Sequence, residues 1–128
     1  MATVVVSPPG QPGPNSVALS TAQTGNGQST NVADRGSTTG PALLAITTTV
    51  GATPTCTYAV EGSADGSDWF AVAIADAATP ETVSVATFAI TTATTVRKIL
   101  RPAHPWRFLR LTYSANTNVT NTATLFTF

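Results

Sequence analysis

The chain has 128 residues, and Val, Ile and Thr supply 41 of them while Glu and Lys together supply three. A length of this kind suits one domain, and a surface so poor in Glu and Lys excludes a helical bundle and any nucleotide-binding α/β fold. Formal net charge is zero from six acids and six bases, which argues against generic polyanion binding. The zero conceals a segregation. All the acids (Asp34, Glu61, Asp65, Asp68, Asp76, Glu81) precede residue 82, while Arg97, Lys98, Arg101, Arg107 and Arg110 share one acid-free window. Twenty residues are Ala, so the core is expected to be thin and association to be the natural remedy.

In chain order, residues 1–16 read as an extended arm and 17–128 as one domain. Thr3–Val6 (TVVV) is β-prone, and residues 7–16 (SPPGQPGPNS) carry four prolines and two glycines, a composition that favours extended polyproline geometry. Two readings of the arm stay open: its tip adds a strand to a neighbour's sheet edge, or the terminus lies on the chain's own surface. The arm start has no basic region and only a short apolar run, so neither a signal peptide nor a membrane span is expected.

The body reads as short strands separated by turn signals. Strands are expected over 17–23, 30–35, 42–50 and 55–62, the last two parted by Gly51 and Pro54. Asp65-Gly66 marks a hairpin, because this dipeptide tolerates positive φ, with 67–74 returning and 82–90 following. Val96, Ile99 and Leu100 fit one helical turn before Pro102 or a short strand. Residues 106–114 and 119–128 close the chain as two strands joined through ANTN. Eight or nine such strands indicate an antiparallel β-sandwich of jelly-roll or galactose-binding-like type.

Chemistry is sparse. His104, the sole histidine, lies between prolines without a triad context, and one His with one Cys falls short of a zinc set. Cys56 shares a strand face with Tyr58 and Val60, as a buried small hydrophobe would. Glu61, Asp65 and Asp68 fit a turn better than a calcium loop. No catalytic residue, metal ligand or cofactor is therefore assigned. Asn118-Val-Thr matches a glycosylation sequon but reads as strand-edge polarity. The basic window RKILRPAHPWRFLRL offers arginines for phosphates and Trp106 or Phe108 for stacking, yet alternation would send Trp106, Phe108 and Arg110 to one face and Arg107, Leu109 and Leu111 to the other. That spreads the bases over two faces, so no nucleic-acid partner is expected. Trp, Phe and Arg on one face suit a protein partner; a fully buried central strand is the competing reading.

Two resemblances follow from these segments. VEGSADGSDWFAV resembles the GSxDGxxW hairpin of galactose-binding-like β-sandwiches and related phage virion domains, and WRFLRLTYS resembles their arginine-bearing companion strand. In carbohydrate-binding members, loops at one end supply the ligand contacts, which implies Trp69 and Trp106 as ligand-loop residues here. The Pro-rich arm, the Thr/Ala-rich β-body, the low charge and the lack of disulfide potential together resemble small bacteriophage capsid decoration (cement) proteins. That likeness implies a non-enzymatic trimer on the capsid surface, made in the host cytoplasm and bound to the major capsid protein or other virion subunits, with no membrane contact. The expected contact residues are Val4, Val5, Val6, Pro8, Pro9, Arg97, Arg101, Trp106, Phe108 and Arg110. The alternatives are a carbohydrate-binding adhesion module of a tail or fibre and a tail or head-completion subunit.

Overall fold

A computed structural model describes residues 3–6, 15–35, 42–82, 87–100 and 106–127. The described residues are all-β, with ten strands and no helix. In chain order these are β1 (Thr3–Val6), β2 (Asn15–Gln23), β3 (Gly27–Gln28), β4 (Asn31–Asp34), β5 (Ala42–Ser63), β6 (Phe70–Ala71), β7 (Ile74–Asp76), β8 (Phe88–Ile90), β9 (Thr95–Leu100) and β10 (Phe108–Thr127).

One long antiparallel ladder organises them. β5 pairs β10 from Ala42↔Thr127 to Ser63↔Phe108. Outside β10 lie β2 on one half and β3 and β4 on the other. Outside β5 lie β9 on one half and β8 and β6 on the other, with β7 beyond β9. Every described pairing is antiparallel except β1 with β4. The strands thus belong to a single hydrogen-bonded network.

Period-two patterning explains how that network makes a core. On β5, Ala42, Leu44, Ile46, Cys56, Tyr58 and Val60 are buried; on β10, so are Leu109, Leu111, Tyr113, Val119, Ala123 and Leu125. Side chains of one parity share one face, so the same face is buried along both strands. Between the halves, the ladder register slips from Ser114 to Val119, and the buried face closes on itself. Tyr58 Oη donates to Asn121 Oδ1 at 2.6 Å and Tyr113 Oη to Ser20 Oγ at 2.8 Å, each joining one half to the other. Burying a Leu or Ile in this cluster contributes about 2–3 kcal/mol.

Several boundaries differ from the sequence-based expectations, for one physical reason. Residues 42–50 and 55–62 form one bent strand, as do 108–114 and 119–127. Gly51, Pro54 and the Asn-rich stretch bend the ladder without ending it, because both strands turn at the same place. Thr53, Ala115 and Asn118 take φ of 49°, 50° and 53° there, and Asn118 Nδ2 donates to Ala52 O at 2.6 Å, tying the two bends together. Residues 95–100 are strand, since β5 and β7 offer ladder partners on both sides. The expected return strand over 67–74 is broken into β6 and β7. Of the expected strand 82–90, Phe88–Ile90 is strand and residues 83–86 lie outside the described residues.

The expected proline-rich connector, including Pro8 and Pro9, also lies outside the described residues. β1, which carries Val4, Val5 and Val6, adds in parallel to β4 of the same chain, from Thr3↔Asn31 to Val6↔Asp34.

Candidate functional site: an aromatic–arginine end

The bend marks one end of the fold, and the paired ends of β5 and β10 mark the other. At this second end the chain leaves β5 through the turn that Asp65-Gly66 dictates. Gly66 has φ of 82°, which a glycine supplies without a Cβ clash. Asp65 Oδ1 accepts from Ser67 N at 2.8 Å and Asp68 N at 3.0 Å. These amides, with the Asp68 one foremost, hold the Asp65 carboxyl below the usual carboxylate range. The carboxylate is thereby committed to shaping the turn, which delivers Trp69 and Phe70.

Trp69 and Phe70 meet the start of β10. The Phe70 and Trp106 rings stack at 5.2 Å between centroids and 14° between planes. Trp106 in turn lies on Gly62: a Cβ added there would meet Trp106 Cγ and Cδ1 at 2.4 Å. Gly62 pairs with the buried Leu109, so Trp106 caps the core-side face. The strand alternation expected from Trp106 onward begins only at Phe108, since Trp106 and Arg107 precede β10. Trp106 therefore does not share a face with Phe108 and Arg110.

On the opposite face, Arg110 Nε donates to Glu61 Oε1 at 2.9 Å, its directly paired neighbour on β5. The same guanidinium lies 3.9 Å over the Trp69 ring, a cation–π geometry that flattens Arg110 against the sheet. Arg107 grips the buried Asp34 with Nε at 2.8 Å and Nη2 at 2.9 Å, and its guanidinium carbon lies 5.0 Å over Phe108. The Asp34 carboxylate raises the Arg107 pKa above its ordinary value. Arg35 Nε and Nη2 both donate to Trp106 O, at 3.1 and 2.8 Å; burial lowers its pKa.

The charge segregation of the sequence is undone in space. Lys98 pairs with Asp76, Arg107 with Asp34 and Arg110 with Glu61. These three bases meet acids from the earlier part of the chain. Arg97 is exposed on β9, opposite Ala45 on the other half of β5, where it lines a shallow cavity of about 350 Å³ with Val96, Asp76 and Ala77. Arg101 lies outside the described residues.

The structure thus gathers Trp69, Trp106, Phe108 and Arg110 and leaves Arg97 apart. It adds Phe70, Glu61, Gly62 and the Arg107–Asp34 pair, which no local motif announces; their placement follows from the ladder register. Phe70 is the most exposed large apolar side chain among the described residues, at 53%. Trp69 and Trp106 each give one ring face to a neighbour, Arg110 and Phe70 respectively. Chemically the end offers a preorganised aromatic surface framed by the acid-paired Arg107 and Arg110, with the Asp65 carboxylate spent on backbone amides and Asp68 exposed beside it. A second cavity, about 340 Å³ at the bend, is lined by Thr24, Gly25, Asn116, Asn118 and Thr120. Its amides are also committed: Asn116 bonds Gly25 O and Val119, and Asn118 bonds Ala52 O. No protein-family model, curated protein or solved structure matches the chain.

Proposed function

We propose that the chain is a non-enzymatic virion structural protein, a capsid decoration protein that bridges major capsid subunits as a trimer. The observation that carries this reading is the half-exposed Phe70, stacked on Trp106 and backed by Gly62, in a setting of arginines already paired with the chain's own acids. Rigid aromatics and arginines contribute most of the free energy at protein–protein contacts. The contact surfaces are then this end and the N-terminal arm, with Arg97 and Arg101 as peripheral contacts. Binding to the assembled shell alone would stabilise that state by mass action.

Co-sedimentation with undecorated capsid shells tests this directly. Deleting residues 2–14 is expected to abolish attachment while the β-rich far-UV spectrum is kept. Full occupancy by the truncated chain would remove the arm from the reading. The same aromatic stack also favours a second reading, carbohydrate binding for host adhesion, since a flat exposed ring is a platform for a pyranose face. Specific glycan-array binding that is lost in Trp69→Ala or Trp106→Ala, together with no shell attachment, selects that reading instead.

A further inference from the structure

The turn from β2 to β3 contains Asn26-Gly27, exposed at the bend. Gly27 has φ of 115°, and a Cβ built on it would meet nothing within 4 Å, so neither a side chain of its own nor a neighbour crowds that position. Asn26 Oδ1 accepts from the Asn116 backbone N–H at 2.8 Å. Among the described residues nothing holds its Nδ2. A carbonyl that accepts from a backbone N–H is polarised at its carbon, and the same donor stabilises the negative charge that builds on the oxygen when a nucleophile adds. The Gly27 nitrogen is that nucleophile, tethered to Asn26 by the chain itself. Gly27 pairs Tyr113 in the ladder, but β3 is only two residues long and Gly27 is its first. A ladder end of this kind opens at little free-energy cost.

The other turns and asparagines lack this combination. At Asp65-Gly66 the Gly66 N–H donates to Ser63 Oγ at 2.8 Å, and the Ser67 and Asp68 amides keep the Asp65 side chain an ionised carboxylate, a poor electrophile. Asn31, Asn116, Asn118 and Asn121 each precede Val or Thr, whose branched Cβ crowds the nitrogen that would have to attack. Asn121 is buried besides.

We propose that Asn26 is a site of self-modification, converted to aspartate and isoaspartate in the folded chain. The Gly27 nitrogen gives up its proton to solvent and bonds to Asn26 Cγ. The Cγ–Nδ2 bond then breaks, and the leaving nitrogen takes up a proton from solvent and departs as ammonia. A five-membered succinimide remains, and water adds to one of its two carbonyls to open it. Each event adds one negative charge to a chain whose formal net charge is zero. In the isoaspartyl product the main chain runs through Cγ and is longer by one carbon. The lengthening falls where Asn116 ties the turn to the bend, through its N–H to Asn26 Oδ1 and its Nδ2 to Gly25 O at 3.2 Å. The site stands apart from the assembly reading and holds or fails without it.

The test incubates the isolated chain in mildly alkaline buffer, folded and in parallel unfolded in urea. Isoelectric focusing and peptide mapping with isoaspartyl detection follow the products. The folded chain is expected to lose Asn26 at no less than about one tenth of the unfolded rate, since a ladder end opens readily. The peptide carrying Asn26 should appear as an aspartyl and isoaspartyl pair while Asn31, Asn116, Asn118 and Asn121 stay unchanged. Asn26→Gln should abolish the acidic isoform, because its longer amide would have to close a six-membered ring. A folded chain slower than that limit, an acidic isoform that persists in Asn26→Gln, or earlier conversion of another asparagine overturns the proposal.

Discussion

At the bend the molecule is small and polar, built from Thr24, Gly25, Gly51, Asn116 and Asn118; at the opposite end Trp69, Phe70, Trp106 and Phe108 gather with Arg35, Arg107 and Arg110. Both ends hold unusual geometry, yet they use it differently. The bend carries left-handed residues at Thr53, Ala115 and Asn118, each costing about 1 kcal/mol or more, and its side-chain amides bond to nearby backbone. That geometry serves to turn the ladder. The aromatic end pairs Arg107 and Arg110 with acids and occupies the Asp65 carboxylate, but leaves a large ring in solvent. An end that is satisfied internally has little to offer a partner, and an end that keeps Phe70 half exposed does.

Between the two ends lies the interior that holds the halves together, and the largest effect is expected there. Tyr58 and Tyr113 meet edge-on at 5.6 Å. Burial raises both hydroxyl pKa values from 10.0, that of Tyr113 to about 12. A raised pKa means that the unfolded chain loses its protons first. Stability is therefore full below pH 10 and falls as pH climbs from 10 through the folded value, by about 1.4 kcal/mol per pH unit for each tyrosine. Following tyrosinate absorbance and far-UV circular dichroism together checks this: ionisation should coincide with unfolding. Ionisation in the folded chain at pH 10 would show that the interior is wet and the contrast with the ends is false.

Gly62→Ala comes next, because it strikes the joint between the interior and the aromatic end. The new methyl would overlap Trp106, and overpacking of this kind costs about 2–3 kcal/mol. A lower Tm with a red-shifted tryptophan emission is expected, as Trp106 is levered off its seat. The same substitution at Gly51 meets Asn118 Cβ at 3.2 Å, a milder contact, so the bend should yield where the aromatic end does not.

Asn121→Ala removes the acceptor of the Tyr58 hydroxyl and the amide 3.8 Å from Cys56 Sγ. A buried hydroxyl left without a partner costs about 1–3 kcal/mol. Chemical denaturation should show the loss, and Tyr58→Phe in the same background should return part of it. Asn118→Ala at the exposed bend should cost less, although it too removes an amide bond, since water can replace the partner of Ala52 O.

How much of this was legible in the sequence depends on the range over which each feature is decided. The all-β class follows from Thr and Val in abundance, and the turn at Asp65-Gly66 from a dipeptide. Burial of Cys56, Tyr58 and Val60 follows from alternation within six residues. The bends were hidden, because Gly51 and Pro54 look like a strand terminator until β10 is seen bending beside them. The same limit applies to Trp106, which stands two residues before β10 and so escapes the alternation that places Phe108 and Arg110. Phe70 owes its exposure to the ladder register and to the space that Gly62 leaves for Trp106; neither can be read from Phe70's own neighbours.

Phe70→Ala has the smallest expected effect on folding and bears most directly on the difference between the ends. The ring is half exposed, so its truncation removes little buried area and one stacking contact, about 0.5–1 kcal/mol in all. Tm should move by only a few degrees, less than in Gly62→Ala or Asn121→Ala. If this ring is a central anchor for a shell subunit, the same truncation costs about 2 kcal/mol or more at the interface, a loss of roughly thirtyfold in affinity for undecorated shells. Asp76→Asn serves as the control, since it weakens only the Lys98 pair between β7 and β9, in which the Asp76 carboxylate is largely exposed and contributes little. A Phe70→Ala chain that binds shells as tightly as the wild type would move the contact elsewhere, with the arm as the remaining proposed surface. A chain that binds thirtyfold more weakly at nearly unchanged Tm would separate what the aromatic end does for a partner from what it does for the fold.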